Sequence, residues 1–144
     1  QDNDRQSVTL DEEMQFAEAY IYLMKMRYEE NLRFEVEIDE STRGMLLPPM
    51  SVQLLVENAI KHNEISNRNP LTITIRTEGR TLLVENHIQP KRQAPAGPGI
   101  GLDNLAKRYL LLWQKEIGIT ADRGLFCVRL PLQQPDKNHE SVNH

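Results

Sequence analysis

Two stretches of this chain hold residue types whose spacing suits chemistry on an anionic ligand. The first runs from Met50 to His62, directly after the break at Pro48-Pro49. Its periodicity predicts a helix. Projected at about 100° per residue, Val52, Leu55, Val56, Ala59 and Ile60 fall on one arc. Ser51, Leu54, Asn58, Lys61 and His62 fall on the opposite side. Asn58 and His62 then stand one turn apart with Lys61 beside them. An amide oxygen is a hard, neutral ligand suited to Mg²⁺, and a lysine ammonium supplies a point charge for phosphate. Taken alone, the same residues also fit a plain surface, with Glu57 and Lys61 as an i,i+4 ion pair and Asn58 as an ordinary polar position. The second stretch is Gly97-Pro98-Gly99-Ile100-Gly101-Leu102. Glycines let backbone N–H groups approach a phosphate closely, and a helix that starts there points its positive end at the same place. A flexible loop before any helix has this composition too. The order of the two stretches, within about fifty residues, carries more weight than either.

The surrounding elements must position these groups. Thr9-Leu10-Asp11-Glu12 reads as a capping box that opens a long helix, predicted to run to about Glu30. One apolar stripe is Leu10, Met14, Ala17, Ile21, Met24 and Tyr28, and a second is Phe16, Tyr20 and Leu23. One stripe suffices to dock a helix, so two imply either a second partner or deeper burial within the same domain. Leu32–Ile38 alternates Phe34, Val36 and Ile38 with charged residues, as in a half-buried strand. After the Met50–His62 helix comes a polar loop, residues 63–70. Strands are predicted at Leu71–Thr77 and Thr81–Asn86, with a tight turn at Glu78-Gly79-Arg80. Residues 88–99 are rich in proline and glycine and read as a mobile loop. A third helix begins at Gly101 or Asp103 and faces Leu102, Leu105, Tyr109, Leu112 and Trp113 inward. Ile117–Arg123 and Leu125–Leu132 form a closing hairpin, and Gln133 onward is a polar tail. Helices and strands mix without strict alternation, which favours an α/β two-layer sandwich with one mixed sheet covered on one face by helices.

Composition narrows the function classes. The chain has 144 residues with 39% hydrophobic, which is one domain's worth of core. The net charge of -4 gives no basic footprint for nucleic acid. A single cysteine, Cys127, lies in an apolar run and permits no internal disulfide, as in a reducing compartment. No apolar run reaches a membrane span and no signal peptide is visible. A chain that begins without methionine is expected to be a piece excised from a longer protein.

With these residues set out, a resemblance emerges. Glu57-Asn58-Ala59-Ile60-Lys61-His62 resembles the N box of the GHKL ATPases, the superfamily of gyrase, heat-shock chaperone, histidine kinase and MutL domains. Gly99-Ile100-Gly101-Leu102-Asp103-Asn104-Leu105, followed by Lys107-Arg108-Tyr109, is similar to the second glycine box of LytS/YehU-like sensor kinases. Leu10-Asp11-Glu12-Glu13, Lys25-Met26-Arg27-Tyr28, Leu47-Pro48-Pro49 and Phe126-Cys127-Val128-Arg129-Leu130-Pro131-Leu132 match the same subfamily. The likeness covers roughly residues 8–132 and is specific in combination.

The resemblance implies a Bergerat-type ATP-binding fold and a protein histidine kinase activity with ATP and Mg²⁺ as cofactors. It casts Asn58 as the Mg²⁺ ligand, Lys61 and His62 as phosphate or ribose contacts, and Glu57 as the group that polarises the attacking atom. Backbone at Gly97, Gly99, Ile100, Gly101 and Leu102 would cradle phosphates beneath an ATP lid, residues 88–98, in which Lys91 and Arg92 either add charge or, more in keeping with a charged loop, are simply solvated. Two departures stand out. Asn86, in Val84-Glu85-Asn86-His87-Ile88, occupies the place of the aspartate that binds the adenine amino group, and the glycines that usually follow are missing; an amide oxygen still accepts that bond, without charge assistance. No phosphoacceptor motif surrounds His62, His87, His139 or His144. The implied organisation is a linker and bundle helix at 1–30, the catalytic domain at 31–132 and a tail at 133–144. The implied partners are a phosphoacceptor histidine helix of the parent kinase, a response regulator of LytTR type and a second copy in a full-length homodimer. The implied location is the cytoplasmic side of an inner-membrane sensor. Competing readings are a degenerate GHKL module that docks without phosphotransfer and, less favoured because of the long N-terminal helix, an anti-sigma serine kinase.

Overall fold

The computed structural model describes residues 6–91 and 100–136. The first strand, β1 (Val8–Thr9), leads into α1 (Leu10–Tyr28) through a complete capping box: Glu12 N–H donates to Thr9 Oγ1 and Thr9 N–H donates to the Glu12 carboxylate. A short 3₁₀ turn follows, then β2 (Leu32–Glu37), β3 (Leu46–Leu47) and α2 (Ser51–His62). The antiparallel hairpin β4 (Leu71–Glu78) and β5 (Thr81–His87) turns at Gly79, whose φ of 59° favours glycine. The chain ends in α3 (Ile100–Trp113) and the hairpin β6 (Gly118–Asp122) and β7 (Leu125–Pro131).

The main sheet has five strands in the order β2-β4-β5-β7-β6. Only β2 and β4 run parallel, with Leu32 opposite Leu71, and α2 lies in the connection between them. The other pairs are antiparallel. Strand alternation turns Leu71, Ile73 and Ile75 of β4, Leu82 and Val84 of β5, and Val128 and Leu130 of β7 to one face, where all are buried. Leu10, Met14 and Ala17 of α1, the apolar arc of α2, and Leu102, Leu105 and Tyr109 of α3 complete that core. Tyr109 donates its hydroxyl hydrogen bond to Pro131 O (2.8 Å) and packs edge-on against Trp113, tying α3 to the closing strand. Burial raises the Tyr109 pKa well above the ordinary phenol value.

Several expectations are modified. The α1 helix stops at Tyr28, and Glu29 takes a positive φ of 56° before the 3₁₀ turn. β1 and β3 pair with each other as a two-stranded sheet, Val8 opposite Leu47, which alternation in such short segments could not signal. Val36, expected inward, is 47% exposed because it lies near the end of edge strand β2. Gln133, assigned to the tail by its polarity, exchanges two backbone hydrogen bonds with Leu46. Ser51 was projected onto the solvent side of α2 but is fully buried, its hydroxyl donating to Pro48 O.

The two stripes of α1 separate. Leu10, Met14 and Ala17 are core, and Tyr20 packs partly against it, whereas Phe16 and Leu23 are 59% and 57% exposed. Leu23→Glu is therefore expected to change stability by less than about 0.5 kcal/mol, and Leu10→Ala to cost about 2–5 kcal/mol. Urea unfolding measures both, and a Leu23→Glu protein that fails to fold would show that the second stripe belongs to the core.

Candidate functional site

The geometry of α2 follows from which face it must bury. Val52, Leu55, Val56, Ala59 and Ile60 lie against the sheet, so Asn58 and His62 are left half-buried and Lys61 exposed. The Glu57–Lys61 ion pair that a plain surface helix would form is not made. Glu57 is exposed and accepts instead from Gln53 Nε2 (3.1 Å). Asn58, Lys61 and His62 thus share the face predicted for them, at the end of α2 nearest the 63–70 loop.

The first turn of α3 comes directly against this helix. A Cβ placed on Gly101 would sit 3.2 Å from Leu54 Cδ1, a contact that few real side chains make. Leu54 lies one turn before Asn58. Glycine at 101 therefore serves close helix–helix approach and brings the positive end of α3 beside the polar face of α2. Leu102 points into the core and is 2% exposed, so only its backbone can face a ligand. Gly97 and Gly99 lie outside the described residues, as does Arg92. Ile100 is placed as the first residue of α3.

At the far side, Asn86 is 4% exposed near the end of β5 and shares a strand face with Leu82 and Val84. Its Nδ2 donates to His87 O (2.8 Å). Beyond it the chain is fastened to the end of α2 by a cluster that the sequence reading did not single out. Asn63 Nδ2 donates to Ala59 O (2.8 Å) and Asn63 Oδ1 accepts from Gln89 N–H (2.7 Å). Glu64 N–H donates to Gln89 O (2.6 Å), and Gln89 Nε2 donates to Glu64 O and Asn69 O. The base of the 88–98 loop is thus clamped to the helix that carries Asn58. An asparagine directly after a predicted helix end is a cap signal that pointed here.

His62 Nε2 is buried and, among the described residues, has no hydrogen-bond partner. Burial lowers its pKa, and the charges of Lys61 and Lys91 lower it further. An orphaned ring nitrogen between two lysines suits an anionic oxygen. No cluster of three or more His, Cys, Asp or Glu residues that could cage a metal ion occurs among the described residues. An amide oxygen such as Asn58 Oδ1 is chemically able to serve as one hard, neutral ligand to a divalent cation.

The chain has relatives both in sequence and in fold. Against curated sequences the chain is 32% identical over 123 residues to the sensor protein LytS of Staphylococcus haemolyticus, covering 74% of this chain and 21% of the relative. To the sensor histidine kinase/phosphatase LytS of Staphylococcus aureus it is 26% identical, covering 95% of this chain and 27% of the relative. Among solved structures it superposes on the nucleotide-free catalytic domain of histidine kinase ThkA with a TM-score of 0.60, 17% identity and coverage of 90% and 97%. The cytoplasmic segment of histidine kinase QseC gives 0.62, 11% identity and coverage of 90% and 78%. The chain is thus similar in sequence to LytS sensor proteins and has the fold of histidine kinase catalytic domains. No protein-family profile matches it. The chain spans only about a fifth to a quarter of the length of these relatives (21% and 27%). No described helix is long and apolar enough to cross a membrane.

The lowered His62 pKa has a testable sign. Between the folded and unfolded values the unfolded chain binds more protons, so the neutral ring contributes fully above roughly pH 6.5 and that contribution is lost as pH falls below it. NMR titration of the His62 ring protons should give a midpoint below the ordinary value, moving upward when Mg-ATP is added. A midpoint at or above the ordinary value in the apo domain would remove the assignment of a buried, unpartnered Nε2.

Proposed function

We propose that this domain binds Mg-ATP and transfers its γ-phosphoryl group to a histidine that lies outside the chain. The observation that carries the proposal is the approach of α3 to α2 at Gly101 and Leu54, which sets the positive helix end one turn before Asn58 on the face of α2 that also carries Lys61 and His62. Phosphoryl transfer asks a protein mainly for positioning and charge neutralisation. When bound, Mg²⁺ would neutralise phosphate charge, with Asn58 Oδ1 as its protein ligand. Lys61 and His62 would contact phosphate oxygens. Backbone N–H groups at Gly97, Gly99, Ile100, Gly101 and Leu102 would do the same from the start of α3. Asn86 Oδ1 would accept from the adenine amino group; its Nδ2 is already committed to His87 O, which orients the amide accordingly. Glu57, exposed on the same helix, would orient the acceptor imidazole as the bond to the γ-phosphorus forms and ADP leaves.

The same reading extends to organisation. We assign residues 1–30 to the linker and helix that lead from a histidine-bearing bundle and 31–132 to the catalytic domain, with Leu10, Met14 and Ala17 of that helix packed into the catalytic core and Gln133, paired with Leu46, joining the domain ahead of the tail. The partners are then the phosphoacceptor helix of the parent kinase, a LytTR-type response regulator and a second copy, met through the exposed Phe16, Leu23 and Met26 of α1. The domain would work on the cytoplasmic side of an inner-membrane sensor, consistent with a buried free thiol at Cys127. A second reading, a docking module without phosphotransfer, draws on the uncharged Asn86 in place of an aspartate.

Calorimetry separates the two. Mg-ATP is expected to bind, with affinity reduced at least tenfold by excess chelator. Asn58→Asp should keep the fold yet reduce phosphoryl transfer at least a hundredfold, because the position is ligand-facing and not core. Equal affinity with and without Mg²⁺ would remove Asn58 from the metal. Incubated alone with labelled ATP, the domain should acquire no phosphohistidine, and labelling should appear on a separately supplied fragment carrying the upstream histidine helix. Acid-labile, base-stable phosphate on His62 or His87 would overturn this assignment.

A further inference from the structure

Glu13 is the one charged residue among the described residues that is fully buried, with 0% exposure. Its partners belong to another element. Met50 N–H and Val52 N–H each donate to its carboxylate at 2.8 Å, and Gln53 N–H approaches at 3.4 Å. These are the unsatisfied amides at the start of α2. Met50 itself provides no side-chain cap and takes a positive φ of 68°, a conformation costly for a residue with a Cβ. The cap of α2 is thus supplied by a side chain 37 to 39 residues upstream, on α1.

The same junction is held from a third side. Arg108 of α3 donates to Pro49 O (3.1 Å), and its charge favours the ionised form of Glu13 against the burial that raises that group's pKa. The start of α1 is in turn fixed by Leu10 N–H to Met45 O (2.8 Å), Asp11 N–H to Arg43 O (3.0 Å) and the Arg43–Asp11 ion pair at 2.9 Å. Residues 48–51 are therefore the point at which α1, α2 and α3 are fastened together. A buried carboxylate has no water to fall back on. Any slide or rotation of α1 that withdraws it leaves several helix amides without an acceptor, and α2 must follow or lose its cap.

We propose that Glu13 is a positioning residue that ties the attitude of α2, and with it Asn58, Lys61 and His62, to that of α1, so that movement of α1 sets nucleotide affinity. The clause on affinity rests on α2 being the nucleotide helix, as read above; the mechanical tie does not.

The test compares wild type, Glu13→Gln, Glu13→Asp and a sheet-core control, Ile75→Val, all at a temperature well below unfolding. Glu13→Gln keeps the size but turns a donor toward the helix amides. Glu13→Asp keeps the charge and shortens the reach, and it carries the comparison should Glu13→Gln not fold. Two readouts are taken: backbone amide shifts of Asn58, Lys61 and His62 without ligand, and Mg-ADP affinity by calorimetry. The Glu13 variants should shift those three amide signals and weaken Mg-ADP binding by at least fivefold, while Ile75→Val does neither. Unmoved signals in a folded Glu13 variant, or equal movement in the control, would overturn the tie. Moved signals with unchanged Mg-ADP affinity would overturn the link to affinity. If wild type itself binds no Mg-ADP, the nucleotide reading of α2 fails, and the amide shifts still decide whether Glu13 holds the helix.

Discussion

A helix that must bury one side has no freedom in where its other side points, and α2 is governed by that constraint. Its apolar arc, Val52, Leu55, Val56, Ala59 and Ile60, closes the core over the sheet. The orientation of Asn58 and Lys61 is thus set by hydrophobic burial, at roughly 25 cal/mol per Å² of apolar surface removed from water, before any ligand is considered. The rest of the site is arranged around that fixed face. The α3 helix reaches it because residue 101 lacks a side chain, the 88–90 segment reaches it through the Asn63–Gln89 hydrogen bonds, and α1 reaches its near end through Glu13.

What results is a site made largely of neutral and positive groups. Lys61 and Lys91 both act on the ring of His62, and the start of α3 meets the same helix at Leu54, while the chain as a whole is acidic with a net charge of -4. The asymmetry matters more than the total. A local positive field on an acidic protein suits a small polyanion at close range, whereas nucleic-acid binding calls for an extended basic face.

Much of this was legible in the sequence because it rests on local rules. The capping box at Thr9 and Glu12, the alternation in β4 and β5, the turn at Gly79 and the two-sided pattern of α2 are each set by a few neighbouring residues. What escaped depends on groups far apart in the chain. The pairing of Val8–Thr9 with Leu46–Leu47 involves too few residues to show a period. The burial of Ser51 follows from its bond to Pro48 O rather than from its angular position on the helix. Glu13 did leave a trace, since it falls three residues after Leu10 and four before Ala17 on the buried stripe. A carboxylate on an apolar stripe calls for a partner, but nothing local names the amides of α2 as that partner.

The parallel pairing of β2 with β4 bears on how the protein comes to exist at all. Leu32 meets Leu71 only after a connection on the order of forty residues has closed, and such closures are slow compared with hairpins. The β4–β5 and β6–β7 hairpins need only short turns and can form first. The pairing of β5 with β7, Thr81 opposite Pro131, is a closure of the same kind. The α2 helix is the crossover of the β2–β4 closure, so the polar face that would meet a ligand is set in place only when a long-range pairing is made. A nascent or partly folded molecule would then display its two antiparallel hairpins while still lacking the face of α2 that Asn58 and Lys61 share.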